Sequence, residues 1–84
     1  MEMYVKRLEQ LESIAREQSK LVREAHAFQA GREVRVILDA RKCSDADAFA
    51  LSRSIARKVE EEMTFPGEIK VTVLREVRAE AVAR

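Results

Sequence analysis

Val34-Arg35-Val36-Ile37-Leu38 and Ile69-Lys70-Val71-Thr72-Val73-Leu74 share one pattern, an aliphatic side chain at every second position. That period of two places Val34, Val36 and Leu38 on one face of a strand and Arg35 and Ile37 on the other. A strand with one apolar face needs a neighbour and a cover. The second ribbon, through Ile69, Val71 and Val73, is the natural neighbour.

Residues 2–17 supply one cover, because Tyr4, Val5, Leu8, Leu11, Ile14 and Ala15 recur at helical spacing opposite Lys6, Arg7, Glu9, Gln10 and Glu12. Ser44 followed by Asp47 reads as a capping box that opens a second helix, predicted to run to about Met63 with Ala48, Leu51, Ser52, Ile55, Ala56, Val59 and Met63 inward. Phe65-Pro66-Gly67 then reads as a type II turn. Between the first helix and the central ribbon, Val22, Glu24, His26 and Phe28 alternate against Arg23, Ala25, Ala27 and Gln29, which suits a strand over residues 22–29 returning through a tight hairpin at Ala30-Gly31. The competing reading is a single long N-terminal helix, α-β-α-β, since no breaker precedes Gly31.

The favoured fold is α+β, in the order α-β-β-α-β: a small mixed three-stranded sheet with both helices on one face, the parallel pair joined by the second helix. The opposite face carries Arg35, Ile37, Lys70, Thr72 and Leu74, half apolar and half charged. Such a face on a small domain is a candidate interface, with a second copy or with other parts of a longer protein. Residues 1–84 are read as one domain.

Sixteen basic residues against fifteen acidic ones leave no overall field for nucleic acid or anionic lipid. Local contact with RNA phosphates through Arg32, Arg35, Lys70, Arg75 and Arg78 stays open, although aromatic platforms do not interleave with them. A single cysteine excludes an internal disulfide. No apolar run approaches the roughly 20 residues of a membrane helix, so direct membrane contact is not expected.

Covalent chemistry finds little support. His26 is the sole histidine and has no neighbouring aspartate, so a structural role is expected rather than a metal-ligand role. Cys43 lies ahead of a helix start but lacks a histidine partner nearby in sequence and is expected to fill an apolar slot. Asp45 and Asp47 belong to that helix start, and Glu60, Glu61 and Glu62 to a solvated face.

The segments Tyr4-Val5-Lys6-Arg7-Leu8-Glu9, Gln29-Ala30-Gly31-Arg32-Glu33-Val34, Ala56-Arg57-Lys58-Val59-Glu60, Phe65-Pro66-Gly67-Glu68-Ile69-Lys70-Val71-Thr72-Val73 and Arg75-Glu76-Val77-Arg78-Ala79 resemble the C-terminal region of ribonuclease Y. Leu21 stands where that family usually has glycine, Cys43 where it has an aliphatic residue, and Val77 where it has threonine. The family comprises bacterial endoribonucleases that begin mRNA decay. The resemblance implies a longer parent with a membrane anchor, a coiled coil, an RNA-binding KH domain and a histidine-aspartate (HD) domain that uses a divalent metal, none of which is in these 84 residues. Arg84 is then expected to be the native C-terminus and Met1 the start of a fragment.

On this reading the chain is a non-catalytic accessory domain without catalytic, cofactor or metal residues of its own. It would serve dimerisation or docking to the parent's other domains, at the cytoplasmic face of the bacterial membrane. The alternative is an auxiliary RNA-binding module.

Overall fold

The computed structural model describes residues 2–64 and 67–84, with side chains from Lys6 onward. Helix α1 spans Glu2–Glu17, strand β1 Val22–Phe28, strand β2 Glu33–Asp39, helix α2 Asp45–Glu62 and strand β3 Lys70–Glu76. This is the α-β-β-α-β order, and the long-helix alternative does not occur. The strands lie β1-β2-β3, with β1 antiparallel and β3 parallel to the central strand.

Period-two alternation decides what β2 buries. Val34, Val36 and Leu38 are fully enclosed, facing Ala25 on β1, Leu11, Ile14 and Ala15 on α1, and Leu51, Ile55 and Val59 on α2. These ten side chains form one core, so both helices lie on the same side of the sheet. Enclosing a Val or Leu side chain contributes about 1.5–3 kcal/mol relative to exposure, and most of the aliphatic core is of that size. The parallel pair is in register along its whole length, from Glu33 beside Lys70 to Asp39 beside Glu76, with Val34 beside Val71 and Val36 beside Val73.

Helix α2 begins as its sequence dictates. The Ser44 hydroxyl accepts from the Asp47 amide at 3.2 Å and the Asp47 carboxylate accepts from the Ser44 amide at 2.9 Å, so two otherwise open donors are satisfied reciprocally. Phe65 and Pro66, on which the predicted turn rests, lie outside the described residues; Gly67 has φ +86°, as a glycine turn position requires.

Two details differ from the sequence reading. Strand β1 has a bulge at Arg23: Val22 pairs with Leu38 while Glu24 already pairs with Ile37. The extra residue moves Val22 onto the core side, where it packs against the buried cluster, rather than leaving it in line with Glu24, His26 and Phe28. The strand also ends at Phe28, because Gln29, Ala30 and Gly31 all adopt positive φ, at 52°, 58° and 82°. This left-handed turn tucks Gly31 against α1, where a Cβ would stand 3.2 Å from Leu8 Cδ2.

Left-handed backbone costs a non-glycine residue about 1–2 kcal/mol. Gly31→Ala should therefore lower unfolding stability by about that amount or more, whereas Ala30→Gly should leave it unchanged or raise it by up to about 1 kcal/mol. Urea denaturation of the two variants reads both signs.

Candidate docking face

The sheet side away from the helices is ordered in three rows by the pairing. Phe28, Glu33 and Lys70 form the first, His26, Arg35 and Thr72 the second, and Glu24, Ile37 and Leu74 the third. All five predicted interface residues, Arg35, Ile37, Lys70, Thr72 and Leu74, thus share this face. Phe28 and Leu74 are exposed and Ile37 is half-buried; Ile37 and Leu74 are neighbours in the third row, and Phe28 stands in the first, with Arg35 between them.

Glu33 lies at the hub of the polar groups and is only 4% exposed. Its carboxylate accepts from Thr72 Oγ1 at 3.0 Å, Gln29 Nε2 at 3.3 Å and Arg35 Nη2 at 3.4 Å. The Thr72 hydrogen bond is the main influence holding its pKa below the ordinary value of 4.5; burial opposes it, and the charges of Arg35 and Lys70 assist. Arg35 also sets its guanidinium 4.7 Å above the Phe28 ring, a cation–π contact that keeps both side chains flat on the sheet. The His26 ring meets Phe28 edge-on at 6.3 Å.

The far end of the face is closed by the tail. Arg78, just after β3, reaches back across the sheet so that Nη2 donates to Glu24 Oε2 at 2.6 Å, and it also stands within ion-pair distance of Glu76. His26 Nε2 lies 3.1 Å from the other oxygen of Glu24. The Arg78 hydrogen bond, followed by that of His26, holds the Glu24 carboxyl below its ordinary value, and Glu24 in turn raises Arg78.

The predicted phosphate contacts do not form one cluster. Arg35 and Lys70 share the open face, and Arg78 arrives from the tail. Arg32 is exposed at the start of β2. Arg75 has the parity of Val71 and Val73 and points to the helix side, where it bonds Asp45 at the start of α2 and the Ala40 carbonyl at 2.9 Å. On the face itself, the cations Arg35, Lys70 and Arg78 stand among the anions Glu24, Glu33 and Glu76. Sequence reading missed Glu33, Phe28 and Gln29 as parts of this face. Glu33 has the parity of Arg35 and Ile37, which was the available signal.

Of the remaining candidates, Cys43 packs against the core with Sγ donating to the Asp39 carbonyl at 3.3 Å, Asp47 caps α2, and Glu60, Glu61 and Glu62 are exposed. Among the described residues no group of three or more His, Cys, Asp or Glu side chains could hold a metal ion. No described helix is long and apolar enough to cross a membrane.

No family model matches the chain, and no solved structure matches it. Curated relatives do. Ribonuclease Y of Syntrophobacter fumaroxidans is 52% identical over all 84 residues, which make up 16% of that protein. The Deinococcus radiodurans ribonuclease Y is 55% identical over all 84, or 14% of its length, and that of Aquifex aeolicus is 53% identical over 78 residues, 93% of this chain and 14% of the relative. The chain spans about a sixth of the curated relatives it matches.

Both lowered carboxyls carry a sign. Glu24 and Glu33 favour the folded state fully above about pH 4.5, and that contribution is lost as pH falls through their depressed folded values. The urea midpoint should therefore drop on acidification from about pH 5 to about pH 3, and Glu33→Gln should make that pH dependence shallower while lowering stability at pH 7.

Proposed function

Starting from a chain that belongs to the ribonuclease Y family as one domain of it, we propose that it is a non-catalytic accessory domain of an endoribonuclease that initiates mRNA decay. Its open sheet face docks a protein surface of the parent enzyme. Metal-dependent hydrolysis of RNA is assigned to the parent's HD domain, and tethering at the cytoplasmic face of the membrane to its anchor.

One observation carries the reading. The open face exposes Leu74 beside Ile37 at one end and Phe28 at the other, and two of its cations, Arg35 and Arg78, are already paired with its carboxylates. Phosphate binding draws on cations free to displace counterions, whereas here Arg35 lies on Phe28 and beside Glu33, and Arg78 is held by Glu24. A neutral surface with an aromatic and two aliphatic residues suits a protein partner, since the centre of such interfaces is depleted of unpaired charge. The 84 residues are also a small part of each relative, so the parent offers that partner in the same molecule.

Two pairs of substitutions separate the two readings, the first read on the domain and the rest of the parent made separately, the second on RNA binding by the full-length enzyme. Ile37→Asp with Leu74→Asp should weaken association of this domain with the rest of the parent by about tenfold or more, measured by calorimetry between the separately made parts. Arg35→Ala with Lys70→Ala should leave RNA affinity and its salt dependence unchanged. A salt slope that falls by about one for each cation removed would instead assign the face to RNA.

A further inference from the structure

The two edges of the sheet are treated differently. On β1, helix α1 supplies partners: the Ala27 amide donates to Glu12 Oε2 at 2.8 Å, and Arg16 Nη2 donates to the Ala25 carbonyl at 3.4 Å. The bulge at Arg23 interrupts that edge further. These are the devices by which sheets avoid pairing with other chains. Strand β3 has none of them. Its pairing runs from Lys70 to Glu76 without a bulge, and it contains no proline.

The direction of its free groups follows from two hydrogen bonds. Lys70 N donates to the Arg32 carbonyl at 2.8 Å, and the Glu76 carbonyl accepts from Ala40 N at 2.9 Å. Even-numbered residues of β3 therefore turn their backbone groups inward to β2, and Val71, Val73 and Arg75 turn theirs outward. Beside this edge a groove of about 620 Å³ runs under α2, lined by Ala48, Ser52, Val71 and Val73. Phe49 stands at its lip and is 67% exposed.

We propose that two copies of this chain pair antiparallel along β3, about a two-fold axis through Val73, and merge their sheets into one of six strands. The strand's own order selects this occupant. Reversed upon itself about Val73, it sets Lys70 opposite Glu76 of the second copy, twice by symmetry, and Thr72 opposite Leu74. The outward amides of Val71, Val73 and Arg75 meet the outward carbonyls of the same three residues. A projecting Phe49 and the groove beside it between α2 and β3 are likewise able to complement themselves under a two-fold axis. The hydrogen bonds run along the β3 edge, and of the open face only its β3 rim, Lys70, Thr72, Leu74 and Glu76, meets the second copy; Phe28 and Ile37 take no part.

Sedimentation of the chain at several concentrations tests it. The wild type should reach dimer mass. Lys70→Glu and Glu76→Lys, each of which places like charges opposite one another at both ends, should each raise the dissociation constant by about tenfold or more. An equimolar mixture of the two variants should recover the dimer, because every pair across that axis is again of opposite sign. Should circular dichroism show either variant misfolded, Thr72→Cys mixed with Leu74→Cys in a Cys43→Ser background should cross-link between chains, and neither should do so alone. A wild type that stays at single-chain mass to about millimolar concentration overturns the proposal. So does a dimer that ignores both charge reversals, or one that the mixture fails to restore.

Discussion

Strand β2 is the constraint from which the molecule is built. It pairs on both edges and offers Val34, Val36 and Leu38, all fully enclosed, to both helices at once. Remove its alternation and neither helix has a surface to cover; shift it by one residue and Arg35 and Ile37 would enter the core in place of the three aliphatics. The remaining elements are arranged so that this strand can be buried on one side while its other side stays polar enough to face water.

That second side is where stability and the proposed docking meet. Glu33 is almost fully buried on a face with no helix over it, because Thr72, Gln29 and Arg35 surround it. A hub of this kind ties β2 to β3 and to the turn after β1 from the outside, as the aliphatic core joins the strands from the inside. It also uses up hydrogen-bonding capacity that a polar ligand would need. Among the residues left exposed, Phe28 and Leu74 are apolar and stand on one face with His26 and Lys70, a mixture that suits the rim and centre of a protein contact.

Much of this was legible in the chain, and the exceptions have physical causes. The paired ribbons, the Ser44 and Asp47 cap and the aliphatic stripe of α2 announce themselves, since each depends on residue types at fixed spacing. The bulge at Arg23 leaves no mark in an alternating pattern, because adding one residue changes parity without changing composition. Gln29 and Ala30 are ordinary residues in left-handed backbone, a conformation that neither residue type announces. Arg75 was grouped with the other cations by charge, while its parity with Val71 and Val73 sends it to the opposite side. Phe49 lies off the buried stripe of α2, and only the open groove beside it shows why that matters.

The central strand also has one near neighbour and one distant one. Its hairpin mate ends five residues before it begins, whereas β3 follows only after a whole helix and the connections on either side. Closing the longer loop carries the larger entropic penalty, and contacts between remote segments are the slow ones to form. During synthesis, then, a hairpin under α1 can assemble while the other edge of β2 stays unpaired until β3 has followed. The edge of β2 that receives β3 is thus open to mispairing for longer than the edge that receives β1.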